Sequence, residues 1–409
     1  MKKVLVLAFL IVHIFAFSQT VQREEANRLL QEGDLYMRSG SWDQAINAYS
    51  KAVLTDAGYA QAYMKRAVAF EKTGRIKESI IDYNKAIDLN PHTAYLYDKR
   101  AKLKMLALDF KGADGDLNHT LSLNPNDMEM REEVAEDYMA MGYYESALKQ
   151  LDTVYNVTFD EKLFLKKALI NFLEGNFKEA QTQLDSVFSY DPTSAEAYDI
   201  KGLIYIGEKR YNDAINAFSE AIIIDNDYSI AYYNRATAYK HSGNLAQAEN
   251  DLQTAISKGK NLAYIYYARA IIKKEMGDVE GSLVEYNKAL THNEDFEDAL
   301  YNRAFLQKMI GSANNAIADA DKLIKLNPTN ASNYILRGNI NLVYFKYEDA
   351  IDDYNKAISY NSNSAEAFYN RGLAFIMINR LKNGCSDLER SINLGFAPAE
   401  SIKQAFCGF

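Results

Sequence analysis

Apolar positions in this chain follow a helical period that stops and resumes at regular intervals. Ile230, Tyr232, Arg235, Ala236 and Tyr239 lie on one such period before Gly243, and Ala248, Leu252, Ala255 and Ile256 continue it afterwards. The two-part pattern recurs along almost the whole sequence, and small residues mark its register. Gly33, Ala67, Ala101, Ala135, Ala168, Gly202, Ala236, Ala270, Ala304, Gly338 and Gly372 stand 34 residues apart, except that Ala135 and Ala168 are 33 apart. A second column, Ala45, Ser79, Ala113, Ala147, Ala180, Ala214, Ala248, Ser282, Ala316, Ala350 and Gly384, repeats that spacing and that deletion. Two columns in step over eleven repeats predict helical hairpins stacked in sequence. Two helices approach closely only where neither carries a bulky side chain, which explains why the columns are small.

The breaks between helices agree. Gly40, Gly74, Gly142, Gly175, Gly243, Gly277 and Gly311 fall between the halves of a repeat, where a left-handed residue ends a helix. Leu108, Lys209, Phe345 and Asn379 stand there in the other four repeats. Pro91, Pro125, Pro192 and Pro328 fall between repeats, where a helix begins but does not continue. The predicted repeats are 26–59, 60–93, 94–127, 128–160, 161–194, 195–228, 229–262, 263–296, 297–330, 331–364 and 365–398. Residues 399–409 read as a helix capping the open apolar end. The fourth repeat is one residue short, which predicts a bend or flexible point near Val157–Asp160.

In the first repeat Gly33, Tyr36, Gly40, Trp42, Ala45, Tyr49 and Ala52 stand at the signature spacings of one family. The pattern resembles the tetratricopeptide repeat from about Ala26 to Pro398. That resemblance implies an all-α fold, a right-handed superhelical solenoid of about eleven helix-turn-helix repeats with a C-terminal capping helix. It implies that the first helix of each repeat lines the inner face. Some members grip the carboxylate end of a chaperone with a lysine and an asparagine one turn apart. Here Leu30 stands with Asp34 and Ile335 with Asn339 at those positions, so that mode is not expected.

On the inner face one column reads Tyr233, Tyr267, Tyr301, Ile335 and Tyr369, and its neighbour Thr237, Ile271, Phe305, Asn339 and Leu373. Together they form a candidate groove for a protein or extended peptide, with Tyr233, Tyr267, Tyr301, Phe305, Ile335, Asn339 and Tyr369 as its residues. The alternative is that these tyrosines extend the interhelical packing of the adjacent column, Tyr63, Tyr97, Tyr198, Tyr232, Tyr266, Tyr334 and Phe368. In the first six repeats the groove positions are Leu30, Met64, Asp98, Glu132, Leu165 and Asp199, a more acidic set.

A cationic ladder is also visible: Arg66, Arg100, Arg235, Arg269, Arg303, Arg337 and Arg371. An acid follows each after the same interval: Asp82, Asp116, Asp251, Glu285, Asp319, Asp353 and Asp387. The four repeats without the arginine carry Ala48, Gln150, Gln183 or Ala217 there. This covariation predicts structural ion pairs within each repeat, set against ligand binding, with partly exposed pairs contributing only ~0–1 kcal/mol.

Composition narrows the function. The net charge of −9 falls further if Lys2 and Lys3 are removed, and an acidic chain without a basic stripe is a poor binder of nucleic acid. Lys2 and Lys3, the apolar run Val4–Phe17 and the small residues Ala16 and Ser18 read as a secretory signal peptide (1–18), followed by a linker (19–25). The alternative is an uncleaved anchor, for which the run is short. No other segment is long and apolar enough to span a membrane. The mature chain is therefore expected in a periplasm or outside the cell. The Phe-Ser-Gln ending and the Asn, Ile, Lys and Tyr bias resemble exported proteins of Bacteroidota. Cys385 and Cys407 are either a disulfide or two buried thiols. His92, His119, His241 and His292 are scattered, and no phosphate loop, nucleophile elbow or calcium loop occurs. No enzyme activity, metal or cofactor is expected. The functions in view are a protein- or peptide-binding scaffold of the bacterial envelope, a structural component of an outer-membrane or secretion complex or a homo-oligomer, and a glycan-binding solenoid. Mass spectrometry of the purified mature protein is expected to find Gln19 as its first residue; a chain beginning at Met1 would overturn the signal-peptide assignment.

Overall fold

The computed structural model describes residues 2–259 and 262–408, with side chains described from Thr20 onward. The side chains of the signal-peptide segment 1–18 thus lie outside the described residues. Among the described residues all regular structure is helical, and no helix is long and apolar enough to cross a membrane. The chain forms two compact units, Met1–Pro192 and Thr193–Phe409. Among the described residues the first holds ten helices and the second thirteen, the last being Pro398–Cys407. The division falls at Pro192–Thr193, one hairpin beyond the shortened fourth repeat. At that repeat the helix Tyr144–Thr158 ends in Phe159, which is left-handed at φ 52°. Asp160 then accepts from the Lys162 amide at 3.0 Å and shapes the turn.

The hairpins close on the small columns. Ala45, Ala67, Ala101, Ala113, Ala147 and their equivalents are fully buried. Beneath them lie large rings, including Tyr83, Phe218, Tyr286 and Tyr354, also fully buried. A Cβ on Gly202 would come within 2.5 Å of the Phe218 ring, and one on Gly338 within 2.7 Å of Tyr354. Glycine there is a packing requirement set by the ring it faces. At the joints the backbone is left-handed whatever the residue: Leu108, Lys209, Phe345 and Asn379 take φ of 60–62°. The reason is the hydrogen bonding. Asp109 N–H reaches Lys104 O at 2.8 Å and Leu108 N–H reaches Met105 O at 3.0 Å, closing the orphan carbonyls of the preceding helix. These bonds hold side-chain-bearing residues in a conformation that costs ~1–2 kcal/mol.

Six of the seven column arginines form two-pronged pairs with their aspartates. Arg235 Nε and Nη2 donate to Asp251 at 2.7 and 2.8 Å, and Arg66, Arg100, Arg303, Arg337 and Arg371 do likewise to Asp82, Asp116, Asp319, Asp353 and Asp387. These are the pairs expected within each repeat, with the arginine partly exposed and the aspartate buried, so the carboxylate depends on its cation more than in a surface pair. The arginine also reaches beyond its repeat. Its Nη1 reaches back to the preceding hairpin: Arg66 to Ser50, Arg100 to Asn84, Arg235 to Ser219, Arg303 to Asn287, Arg337 to Asp321 and Arg371 to Asn355. Each guanidinium thereby ties three helices. Arg269 is the exception. Its Nη1 stands 3.5 Å from Glu285 and its Nη2 donates to Glu249 at 3.3 Å, while Lys288 takes Glu285 at 2.9 Å. Glutamate carries its carboxylate one methylene further out, which breaks the two-pronged geometry.

At the N-terminus the linker expected at 19–25 lies within the helix Lys2–Arg38. Nothing between Gln19 and Glu32 is a helix breaker, and Arg23 covers the Tyr59 ring at 4.5 Å. At the other end a disulfide joins Cys385 to Cys407, tying the helix Pro398–Cys407 onto Leu381–Asn393. Closing this loop of 22 residues contributes ~3 kcal/mol. Pro398 at the first helical turn fits, since its missing N–H has no partner to lose there.

Replacing Arg235 by Met is expected to lower stability by about 3–5 kcal/mol in urea unfolding, because Asp251 remains buried without its cation. The double variant Arg235→Met, Asp251→Leu should recover most of that loss. A single variant within 1 kcal/mol of wild type would show that the pair does not hold the hairpins.

Candidate functional site

The groove positions predicted from sequence all belong to the C-terminal unit. They lie on the helices Ser229–His241, Leu262–Glu275, Glu297–Met309, Ala331–Val343 and Ala365–Met377. Each is the first helix of its hairpin, so residues one turn apart on it return at the same height in the next. The structure sorts these residues into three groups.

Tyr233 lines two hollows. One of about 130 Å³ is bounded by Thr237, Lys240, Tyr267 and Ile271. The other, of about 300 Å³, is bounded by Ser229, Ile230, Asn234, Tyr264 and Ile265. Tyr301 and Phe305 are the exposed pair, at 38% and 40%. Lys308 Nζ lies 4.6 Å from the centre of the Phe305 ring, and burial holds its ammonium below the usual lysine range. Tyr267 and Tyr369 make ring contacts, Tyr267 while still bounding the smaller hollow. Tyr267 packs against Phe296 with ring centres 5.0 Å apart, and its hydroxyl accepts from Asn302 at 3.2 Å. Tyr369 packs against Phe396 at 5.0 Å.

Ile335 and Asn339 do not form an open groove surface. Ile335 is buried in one cluster with Tyr334, Ala357 and Ala367, so the next hairpin covers it. Asn339 Oδ1 accepts from Tyr354 Oη and Asn370 Nδ2, both at 2.8 Å, and its Nδ2 donates to Glu366 at 3.3 Å. Its amide is committed to holding three helices. The aromatic strip is therefore not continuous: it is open at the seventh to ninth hairpins and closed at the tenth.

Sequence reasoning missed Ile230 and Tyr264. They sit one turn before Tyr233 and Tyr267, carry the same 34-residue spacing, and form walls of the larger hollow. Tyr264 is 56% exposed. The signal was a third column on the same face.

Electrostatics add an uncompensated charge. Asp199, on the helix Ala195–Gly207, is 5% exposed. Asn234 Nδ2 donates to both of its oxygens, at 2.9 and 3.1 Å. Burial pushes the Asp199 carboxyl up to about 6, the Asn234 bond pulls it back, and Glu196 one turn earlier raises it further. Tyr228, ahead of the next first helix, has its own ionisation pushed up by burial and by Asp199. In the N-terminal unit the groove acids are paired: Lys65 bonds Asp34 at 2.7 Å, Lys102 lies 3.0 Å from Asp98, and Lys166 bonds Glu132 at 2.6 Å and Glu136 at 2.5 Å. Asp137 there is pushed up to about 6 by burial, despite Lys102 nearby. A hollow of about 210 Å³ in this unit is lined by Glu136, Met139, Lys166 and Leu169.

Stacked helix hairpins with an open inner row define a helical-repeat protein. Family models described as tetratricopeptide repeat match residues 30–93 and 168–229, and another matches 205–272; a model described as TPR repeat matches 346–378. The chain is a tetratricopeptide-repeat protein. No curated protein matches it. Among solved structures it is similar to a tetratricopeptide repeat protein from Parabacteroides merdae, at 16% identity over 68% of this chain and 96% of that one, with a TM-score of 0.46. It is also similar to yeast Tom70, at 16% identity over 93% and 95% with a TM-score of 0.43. A third is YrrB, described as having an unusual peptide-binding site, at 16% identity over 45% and 95% with a TM-score of 0.39.

The raised carboxyl of Asp199 has a stability consequence. The folded chain holds this proton more tightly than the unfolded chain does, so the penalty is full above pH 6 and fades as pH falls towards 4. Asp199→Asn is expected to stabilise the protein at pH 7.5, by on the order of 2–3 kcal/mol, and to give no advantage near pH 4. Thermal unfolding at both pH values checks this; a destabilised variant at pH 7.5 would contradict it.

Proposed function

We propose that this chain is a non-catalytic scaffold of the bacterial envelope that holds an extended polypeptide segment against the first helices of its C-terminal unit. One observation carries the reading: Ile230, Tyr233 and Tyr264 wall an open hollow large enough for a side chain, on a row that continues to exposed Tyr301 and Phe305. Tyrosines bring contact area at low entropic cost and a hydrogen-bonding tip, which suits an extended peptide. The neighbour described as peptide-binding is in keeping with this. Export is supported by the basic and apolar start of the sequence and by the Cys385–Cys407 disulfide, which belongs to an oxidising compartment.

A second reading, assembly through the edges, draws on Met309, Ile310, Val343, Phe345 and Met377, large apolar residues exposed at the hairpin turns. The two are separable. Crosslinked capture from the native envelope should retain a partner segment with wild type and lose it with Tyr233→Ala, Tyr264→Ala, Phe305→Ala of unchanged helicity. Equal capture by both proteins would move recognition to the edges.

A further inference from the structure

The inner row of this chain follows a charge rule with one departure. Where a first helix presents an acid at this level, a lysine meets it. Lys166 of the next hairpin pairs with Glu132, and with Glu136 one turn on. Lys65 of the next hairpin pairs with Asp34 at that second level. Asp98 takes Lys102 of its own helix, the next hairpin offering Glu133 there. Lys65 and Lys166 occupy the position that Asn234 holds in the seventh repeat. There the preceding hairpin again presents an acid, Asp199, yet the residue that meets it is a neutral amide. No basic side chain of the C-terminal unit pairs with Asp199 among the described residues; its bonds run to Asn234. Asn234 is also a wall of the 300 Å³ hollow, beside Tyr233, Tyr264, Ile230 and Ile265.

We infer that this hollow takes the lysine or arginine side chain of an extended peptide, whose cation supplies the charge that position 234 lacks. This rests on the peptide-binding reading above and names what the peptide must carry. The chemistry is complementary at each level. Ile230 and Ile265 offer apolar surface to the alkyl stem. The tyrosine rings attract a cation over their faces. Asn234 turns its Nδ2 to Asp199, so the carboxylate polarises the amide and makes its carbonyl oxygen a stronger acceptor. Glu196, on the same helix as Asp199, deepens the negative potential. Both carboxylates lie behind Asn234 rather than in the wall of the hollow, so their field disfavours an acidic side chain there without touching it. The arrangement also explains why a destabilising buried acid stands at 199: its cost in the free protein is relieved when a cation arrives.

The test is a random-peptide display library panned on wild type and on Asp199→Asn, both as the full mature chain. Wild type is expected to enrich Lys or Arg at one position, flanked by apolar residues. Replacing that residue by norleucine in the best peptide should weaken binding roughly tenfold or more. Asp199→Asn should bind the two peptides alike and still select the apolar flanks. Peptides enriched without a basic residue would overturn this inference and leave the peptide-binding reading standing. No enrichment by either protein would overturn both. Failure to fold does not confuse the result, since the circular dichroism and melting temperature of Asp199→Asn are read alongside.

Discussion

A guanidinium gripped by one buried carboxylate and reaching back to a third helix is the interaction on which each stack of hairpins depends. A hairpin of two helices leaves one apolar face open and cannot stand alone. Burial against the next hairpin supplies most of the free energy, but it is non-directional and tolerates sliding. The arginine fork does not. Its Nε and Nη2 fix the two helices of one hairpin at Asp251, and its Nη1 fixes the preceding hairpin at Ser219. Repeated at Asp82, Asp116, Asp319, Asp353 and Asp387, this sets the register in which the small columns meet.

With register fixed, the first helices present their side chains at constant height, and differences between repeats become differences in function. Tyr267 and Tyr369 find rings to pack on, and Asn339 finds three polar partners. Tyr233, Tyr264, Tyr301 and Phe305 retain open faces. Asp199 receives an amide where Glu132 receives Lys166. Binding capacity lies where the repeat departs from its own pattern, since a residue that satisfies the scaffold has nothing left to offer a ligand.

The fold was legible because close packing and chain reversal constrain single positions strongly. A Cβ at Gly202 or a bulky side chain at Ala67 would not fit, so the columns show in the sequence. The arginine–acid covariation was legible for the same reason, since an unpaired buried charge is costly. The reach of Nη1 to Ser50, Asn84 or Asn287 was hidden, because serine and asparagine are common on helix surfaces and carry no mark of a partner. The site was only half legible. Periodicity placed Tyr233, Ile335 and Tyr369 on one row, yet could not tell an open ring from a covered one.

The sequence by itself determined the all-helical class, the eleven-fold register, the hairpin joints and the identity of the paired charges, because each depends on local backbone chemistry or on a contact repeated many times. Only the tertiary structure decided which inner-face residues are free, that Leu108 and Phe345 are left-handed like the glycines they replace, and that Asp199 is buried without a cation. Those features arise from which neighbours happen to cover a given side chain. Coverage depends on several helices at once, and no single column of residues records it.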